Sequence, residues 1–360
     1  MGNFKKVLIM AGGTGGHVFP GLAVARMLKE QGIEVHWLGT RKGLEARLVS
    51  EAGFPIEFIS ISGLRGKGLK DILLMPFRLS WSILQSLSII RRLKPDVVIG
   101  MGGFVSGPGG IASWILRRPL IIHEQNAKVG LTNKWLAQIA AKVLEGFPDT
   151  FLKRQKIVTT GNPVRVEIAR LPSPESRGQN RNRPLHLLVV GGSLGAAAIN
   201  NLLPRALSKL SERESFSVYH QTGERHLEST VEAYAKAGVE ARVTAFIADM
   251  HQAYAWADIV VCRAGALTIA ELCAAGLASI LVPYPYAVDD HQTANANYLV
   301  KNNAAVLIQE AVLTEDGLAA LLRQLSDSPV KRAAMAQAAY QLRHVDATKK
   351  VFEICGEICR

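Results

Sequence analysis

A chain of 360 residues with 48% hydrophobic content exceeds what one core usually organises, so two globular domains are expected. The net charge of +12 favours polyanionic partners, which include nucleic acid, anionic lipid headgroups and phosphorylated substrates. The four cysteines show no paired framework, which excludes a disulfide scaffold and fits a reducing compartment. No cluster of Cys and His has metal-ligand spacing, so we expect free thiols and neither a metal nor a cofactor.

Two apolar stretches raise the question of a targeting or membrane segment. Residues 7–11 follow Lys5 and Lys6 but form a run that is too short for a signal-peptide core and ends in glycines. Residues 97–116 carry no charge, yet they contain six glycines and Pro108. A strand, a glycine loop and a short helix explain this stretch better than a span. We therefore expect a soluble or peripheral protein.

Short apolar runs alternate with amphipathic helical patterns along the chain, which predicts parallel strands joined by helices. The predicted strands are 6–11, 34–38, 56–59, 96–100 and 120–124 in the first half, and 185–190, 217–221, 241–246, 259–262 and 279–282 in the second. The fold class is therefore α/β, with two Rossmann-like domains at 1–170 and 185–340. Residues 171–184, rich in Pro and Arg, are predicted as a linker or surface loop, and 341–360 as a helical C-terminal segment.

Each half opens with a strand, a glycine loop (12–16 and 191–195) and a helix. Glycine lets main-chain N–H groups approach a ligand, and a helix N-terminus favours negative charge. Because ligands bind beyond the carboxyl ends of parallel strands, both loops are predicted to face one central cleft. The spacing matches neither G-x-G-x-x-G nor G-x-x-x-x-G-K-[ST], which disfavours a dehydrogenase or a P-loop nucleotidase.

A third strand-loop-helix junction lies at 263–271. Glu271 follows Thr268 by about one helical turn, so its carboxylate suits ribose hydroxyls while the helix N-terminus suits phosphate. The alternative is a solvated surface glutamate.

Seven motifs occur in order along nearly the whole chain: 12–17 (GGTGGH), 102–110 (GGFVSGPGG), 123–126 (HEQN), 161–165 (GNPVR), 191–193 (GGS), 220–223 (HQTG) and 262–268 (CRAGALT). In these motifs the chain resembles the MurG family of lipid I N-acetylglucosaminyltransferases. The resemblance implies the GT-B fold, UDP-N-acetylglucosamine as donor and undecaprenyl-pyrophosphoryl-muramoyl-pentapeptide as acceptor. It also implies a peripheral location at the cytoplasmic face of the bacterial inner membrane, cell-wall synthesis proteins as further partners, and a C-terminal helix that packs on the first domain.

The resemblance also implies a set of donor contacts. These are Thr14, Gly15, Gly16, Asn126, Arg165, Ser193, Ile247, Ala266, Leu267, Thr268, Ile269, Ala270, Glu271 and Gln292. Their chemistry agrees with such roles, because the amides of Asn126 and Gln292 can bond sugar hydroxyls and the main chain at Ile247 can meet a uracil edge. Two positions depart from the family: His291 replaces the first glutamine of a usual pair, and Leu194 stands where glutamine is common.

The family resemblance implies an inverting displacement, which needs a base for the acceptor hydroxyl and positive character for the departing UDP. No D-x-D motif occurs, so helix N-termini, main-chain N–H groups and Arg165 or Arg263 are expected to meet the leaving-group charge. His17, at a helix start after the first glycine loop, is the first candidate base; it can also bind the acceptor diphosphate or be structural. Glu124 is the second candidate, with a satisfied buried carboxylate as its alternative.

Residues 64–94 interleave basic with bulky apolar side chains, a composition typical of a helix on anionic lipid. The predicted membrane patch comprises Ile72, Met75, Phe77, Leu79, Trp81 and Trp114, and its alternative is packing against the sheet. The glycine-rich loop is predicted to cradle the acceptor diphosphate through Gly102, Gly103, Ser106 and Gly107, or else to serve packing.

Two other functions stay open at this point. UDP-N-acetylglucosamine epimerases share the two-domain architecture and the nucleotide sugar, but they need no lipid patch. A non-catalytic, membrane-docked binder of nucleotide sugars would need no base. A nucleic-acid partner is not expected, because net charge alone points to one and no recognition motif accompanies it.

Overall fold

The computed structural model describes residues 4–61, 74–152, 155–177, 183–192, 194–210 and 216–359. Its contacts divide the chain into two compact units, Met1–Arg165 with Val345–Arg360, and Val166–His344. The division falls a few residues before the predicted boundary at residue 170. The segment predicted as a linker belongs to the second unit, where the Arg177 side chain donates to the carbonyls of Ala275 and Gly276.

In the described residues, the first unit has a seven-stranded sheet in the order β3-β2-β1-β4-β5-β6-β7. Its strands, all paired in parallel, are β1 (Lys6–Met10), β2 (Glu34–Gly39), β3 (Ile56–Phe58), β4 (Val97–Gly100), β5 (Leu120–Glu124), β6 (Lys142–Glu145) and β7 (Ile157–Thr159). Its helices are α1 (Gly15–Glu30), α2 (Leu44–Glu51), α3 (Met75–Leu93), α4 (Ser106–Ile115) and α5 (Leu131–Ile139), and a final helix of the chain, Ala347–Ile358, also belongs to this unit.

The first sheet is buried on both faces, as expected for parallel strands covered by helices. Along β1, Val7 and Ile9 contribute to one hydrophobic cluster and Leu8 and Met10 to the other. The final helix packs on α1 and places Cys355 in the first of these clusters. The C-terminal residues therefore complete the core of the N-terminal unit.

In the described residues, the second unit has a six-stranded sheet in the order β10-β9-β8-β11-β12-β13. Its strands, again parallel, are β8 (Leu185–Val190), β9 (Phe216–Gln221), β10 (Arg242–Thr244), β11 (Ile259–Cys262), β12 (Ala278–Leu281) and β13 (Ala305–Leu307). Its helices are α6 (Val166–Ala169), α7 (Ala197–Ser208), α8 (Leu227–Ala237), α9 (Met250–Trp256), α10 (Ala266–Ala275), α11 (His291–Val300), α12 (Glu315–Asp327) and α13 (Pro329–Gln341); the final helix, Ala347–Ile358, becomes α14. Short 3-10 turns cover 224–226, 288–290 and 310–312.

The predicted α/β class with two Rossmann-like sheets is confirmed, and the predicted strands match observed ones within a few residues. Three strands were not predicted: β6, β7 and β13. They lie at or next to the sheet edges and have three or four residues each. Such short runs carry too little periodicity to stand out from a loop.

Candidate functional site

Three loops of the first unit meet at the carboxyl ends of neighbouring strands. β1 pairs with β4 and β4 with β5, so the loops that follow them lie side by side. A Cβ atom at Gly102 would lie 2.6 Å from His17 Nδ1, and one at Gly103 would overlap the carbonyl oxygen of Gly12. Both glycines have positive φ angles, 99° and 82°. The packing role that the sequence left open for these two glycines is therefore present.

A buried carboxylate supports the first glycine loop. Glu45, in the first turn of α2, is fully buried. Its Oε2 accepts from the Gly13 N–H at 3.1 Å, and its Oε1 accepts from the N–H and the hydroxyl of Thr40 at 2.9 and 2.7 Å. A Cβ atom at Gly12 would lie 2.7 Å from Glu45 Oε1. Glu45 is absent from the predicted site, because no local pattern connects it to a loop 32 residues earlier.

His17, in the first turn of α1, joins a chain of hydrogen bonds that enters the protein interior. Its Nδ1 lies 2.9 Å from Gln125 Oε1. Gln125 Nε2 lies 3.2 Å from His123 Nδ1, and His123 Nε2 lies 3.0 Å from the carbonyl oxygen of Gly161. Burial lowers the pKa of His123 to about 4, so its ring is neutral near pH 7. Gln125 was quoted within a motif, but no role was predicted for it.

Both carboxylate oxygens of Glu124 are engaged. Oε1 accepts from the N–H and the side-chain amide of Asn126 at 3.1 and 3.3 Å. Oε2 accepts from the Gly130 N–H at 3.0 Å and from Asn133 Nδ2 at 2.9 Å, and the side chain is buried. The prediction of Glu124 as a second candidate base is therefore corrected, because it is the satisfied buried carboxylate of the alternative. Its hydrogen bonds hold the loop that carries Asn126.

Ser106, the first residue of α4, is also fully buried. Its hydroxyl accepts from the Gly102 N–H at 3.1 Å and lies 2.9 and 3.2 Å from the carbonyl oxygens of Gly102 and Met10. The Ser106 hydroxyl and the Gly102 N–H are thus committed to the loop itself. Their predicted contact with the acceptor diphosphate is corrected, whereas that of the half-buried Gly107 stays a prediction.

The start of α1 presents main-chain donors. Thr14 caps the helix in an extended conformation and makes no side-chain cap hydrogen bond. Thr14 is exposed and Gly15 and Gly16 are half-buried, and N–H groups in a first helical turn have no acceptor within the helix. The Arg165 guanidinium lies 5.9 Å from the ring centroid of Phe19, in the second turn of the same helix. Donor contacts of these predicted residues remain predictions.

In the second unit, a glutamine supports the second glycine loop. Gln221 ends β9, and its Oε1 accepts from the Gly192 N–H at 3.1 Å. Its Nε2 donates to the carbonyl oxygens of Gly192 and Ala245 at 3.0 and 2.9 Å. Predicted Ser193 lies outside the described residues, and the neighbouring Leu194 is exposed. Gln221, like Gln125, stands within a quoted motif for which no role of this residue was predicted.

A buried histidine lies next to Gln221. His220 Nδ1 is 2.9 Å from the Tyr234 hydroxyl, and its Nε2 is 3.0 Å from Asn200 Oδ1. Burial lowers the pKa of His220 to about 3. This imidazole therefore serves the packing of the second unit.

α10 begins beside the second glycine loop, because β11 pairs with β8. The N-cap residue Gly265 provides no side-chain cap, which leaves Ala266, Leu267 and Thr268 as first-turn N–H donors. Ile269 is fully buried and its N–H donates to the Gly265 carbonyl at 2.9 Å. Ile269 thus anchors the helix and presents no side chain to a ligand.

Glu271 lies one turn further along α10 and is buried, so the alternative of a solvated surface glutamate is wrong. The Tyr254 hydroxyl donates to its Oε2 at 3.1 Å. Ala270, the preceding residue, is half-buried. A carboxylate held in this way is oriented before any ligand arrives.

Hydrogen bonds to the main chain orient the side chains of Gln292 and His291, near the predicted site for the donor sugar. Gln292 Oε1 accepts from the N–H groups of Ala264 and Tyr284 at 3.3 and 2.9 Å, so its NH₂ is the group that can donate to a ligand. His291 Nδ1 lies 2.7 Å from the Val288 carbonyl oxygen. The Ile247 side chain is buried, and the contact of its main chain with a uracil edge stays a prediction.

Arg263 does not have the predicted freedom to meet a leaving group. Its guanidinium forms a 2.5 Å ion pair with Glu310 and donates to the carbonyl oxygens of Val282 and Pro283 at 3.1 and 3.2 Å. Its positive charge is therefore paired with Glu310 inside the second unit. The prediction for Arg263 is corrected, and Arg165 remains the candidate cation.

The predicted membrane patch lies on α3 and α4, which pack against each other. Phe77 is 75% exposed, Trp81 and Trp114 are 58% exposed, and Leu79 is also exposed. Met75 is half-buried, and Ile72 lies outside the described residues. Across the part of the chain that the structure describes, no helix has the length and apolar character needed to cross a bilayer.

The chain matches two domains of one enzyme family. The model of the glycosyltransferase family 28 N-terminal domain matches residues 7–145, and that of the C-terminal domain matches residues 186–351. A protein of Nitrosococcus oceani is 55% identical over 98% of each chain, and one of Marinobacter nauticus is 52% identical over 98% of this chain and 97% of its own. Both are named "UDP-N-acetylglucosamine--N-acetylmuramyl-(pentapeptide) pyrophosphoryl-undecaprenol N-acetylglucosamine transferase".

Solved structures agree with this assignment. The crystal structure of Acinetobacter baumannii MurG is 41% identical, covers 98% of this chain and 99% of its own, and superposes with a TM-score of 0.85. The similarity thus extends over both units at a level that shows more than a shared fold. The chain belongs to glycosyltransferase family 28, and within it to the MurG family of N-acetylglucosaminyltransferases.

Proposed function

We propose that this enzyme transfers N-acetylglucosamine from UDP to the muramoyl sugar of undecaprenyl-pyrophosphoryl-MurNAc-pentapeptide, and that His17 is the general base. The named activity of the near full-length relatives supports the substrates. The observation that carries the proposal for the base is the 2.9 Å contact of His17 Nδ1 with Gln125, within a loop cluster at the carboxyl edge of the first sheet.

The reaction needs one proton acceptor and one site for a departing diphosphate. The acceptor hydroxyl gives its proton to His17, its oxygen forms a bond to the anomeric carbon, and UDP leaves with the electrons of the broken C–O bond. First-turn N–H groups of α10 favour the charge that develops on UDP. In this proposal Glu271 accepts hydrogen bonds from ribose hydroxyls, and the Gln292 NH₂ donates to the sugar.

Transfer of labelled N-acetylglucosamine from UDP to a short-chain acceptor analogue, with EDTA present, tests the reaction. Transfer in EDTA is expected, because the chain has no D-x-D motif and its main-chain donors suit the diphosphate. The disaccharide product should be β-linked, because the proposed single displacement inverts an α-linked donor. Interconversion of the UDP-sugar without transfer would instead favour an epimerase. Binding of the UDP-sugar with neither reaction would favour a non-catalytic binder.

The exposed apolar side chains of α3 and α4 support docking on a membrane that holds the lipid acceptor. Basic residues Arg78 and Arg91 on the same helix are exposed and suit anionic headgroups. Flotation with anionic vesicles should recover the wild type but lose most of a Phe77→Ser, Trp81→Ser double variant. The matched control is Val312→Ser with Val330→Ser, which removes two exposed apolar side chains of the second unit. Equal recovery of both double variants would contradict the patch.

A further inference from the structure

The orientation of the Gln125 amide is determined by its neighbours. Gln125 Nε2 lies 3.3 Å from the carbonyl oxygen of His123, an atom that can only accept a hydrogen bond. The nitrogen of the amide must therefore face His123, and the oxygen must face His17. Because an amide oxygen only accepts, the 2.9 Å contact with His17 Nδ1 requires a proton on that ring nitrogen.

The same rule determines which ring nitrogen of His123 carries a proton. His123 Nε2 lies 3.0 Å from the Gly161 carbonyl oxygen, so this nitrogen carries the proton. Its Nδ1 is then a lone pair that accepts from Gln125 Nε2 at 3.2 Å. The lowered pKa of His123 keeps that lone pair available at neutral pH. The main-chain carbonyls of His123 and Gly161 thus determine which atom donates in each hydrogen bond between Gly161 and His17.

We propose that Gln125 and His123 are positioning residues that hold neutral His17 as the Nδ1–H tautomer, so that Nε2 is the atom that accepts a proton. The identity of that proton, from the acceptor hydroxyl, rests on the proposed function; the tautomer does not. Which nitrogen of a histidine is free is set by the hydrogen bond of the other. In water the neutral ring favours the Nε2–H form. In that form Nε2 already carries a proton and cannot accept another.

The same contacts stabilise the product of proton transfer. When Nε2 accepts a proton, the ring becomes an imidazolium and its Nδ1–H bond to Gln125 Oε1 becomes charge-assisted and stronger. The amide stays neutral throughout, and no second proton moves along the chain. Gln125 and His123 are buried, so water does not compete for these bonds.

Nuclear magnetic resonance of ¹⁵N-histidine-labelled protein reads the tautomer directly. Two-bond ¹H–¹⁵N correlations distinguish Nδ1–H from Nε2–H, and the His17 signals are identified by their absence in His17→Ala. At a pH where the ring is neutral, we expect His17 in the wild type as Nδ1–H. In Gln125→Met, which keeps the length of the side chain but removes the amide, we expect the ring to revert to Nε2–H. Gln31→Met, at the exposed opposite end of α1, is the matched control and should keep the wild-type signals.

Kinetics supply the second measurement. Gln125→Met should lower kcat by about 10- to 100-fold, as loss of an orienting hydrogen bond typically does, with little change in the Kd for UDP-N-acetylglucosamine. A wild-type His17 in the Nε2–H form would overturn the proposal, even if Gln125→Met fails to fold. An unchanged Nδ1–H form in folded Gln125→Met would also overturn it. A wild type with the Nδ1–H tautomer but no transferase activity would instead overturn the proposed function and leave the positioning intact.

Discussion

The two glycine loops look alike in sequence and differ in what lies behind them. Each follows the first strand of its unit and precedes a helix. The first is held by the carboxylate of Glu45 through Gly13, and the second by the neutral amide of Gln221 through Gly192. No lysine or arginine is bonded to Glu45 in the contacts of the described residues, since Gly13 and Thr40 provide its hydrogen bonds.

This difference predicts different ligand preferences for the two loops. A buried carboxylate opposes a phosphate placed against the same loop, because charges interact strongly where water is excluded. A neutral amide imposes no such penalty, and the first turn of α10 adds main-chain donors next to the second loop. This difference favours the proposed binding of the donor diphosphate by the second unit and the proposed proton transfer by His17 in the first.

The largest expected effect is a loss of kcat on removal of His17, which follows the first glycine loop. His17→Ala should lower kcat by about 100-fold or more, because it removes the proposed base. Equilibrium titration should show that the Kd for UDP-N-acetylglucosamine changes little, since most of the proposed contacts with UDP-N-acetylglucosamine lie in the second unit. The control is His251→Ala, at a half-buried histidine on α9 whose side chain is 40% exposed. Turnover of His17→Ala close to wild type would remove His17 from the mechanism.

The next largest effect should come from placing a charge behind the second loop. Gln221→Glu should weaken binding of UDP-N-acetylglucosamine by about 10-fold more than Gln221→Met, because only the first adds a negative charge behind the loop proposed to bind the diphosphate. Both variants lose the donations to Gly192 and Ala245. Only Gln221→Met also loses the acceptor for the Gly192 N–H, so weaker binding by Gln221→Glu would come from its charge and not from fewer hydrogen bonds. Calorimetric titration measures it. Equal affinities of the two variants would contradict an electrostatic distinction between the loops.

The sequence predicted the loops but not their supports, and the reason is physical. Alternating apolar runs and glycines are local, so both sheets and both glycine loops could be predicted. Gln125 contacts a residue 108 positions away, and Glu45 one 32 positions away. Those contacts exist only after the strands have ordered. Glu124, Ser106 and Arg263 could not be separated from ligand-binding residues for a different reason: the sequence does not show whether a polar side chain is already hydrogen-bonded within the fold.

A smaller effect, on stability, is expected at Ser106, a predicted site residue that is buried within the first unit. Ser106→Ala should lower the free energy of unfolding by about 1 kcal/mol, because the buried Gly102 N–H loses its acceptor. The acceptor KM should change little. Ser113→Ala is the control, since that buried hydroxyl bonds only the Gly109 carbonyl within α4, and it should cost less. Denaturant unfolding and acceptor kinetics measure both; a raised acceptor KM with unchanged stability would restore the contact with the acceptor diphosphate.

The smallest expected effect concerns the buried histidines behind the loops, which are neutral in both units. Burial holds the pKa of His123 at about 4 and that of His220 at about 3, whereas an unfolded histidine titrates near 6.5. Between these values the unfolded chain binds more protons, so stability falls as pH falls from about 7. From pH 7 to 6 each histidine should lower the free energy of unfolding of its unit by somewhat less than about 1 kcal/mol. His220→Gln should remove the contribution of His220 from the second unit, where burial also lowers the pKa of His186 and leaves a dependence of the same sign. Denaturant unfolding that is independent of pH over this interval would show that these imidazoles do not stay neutral in the folded chain.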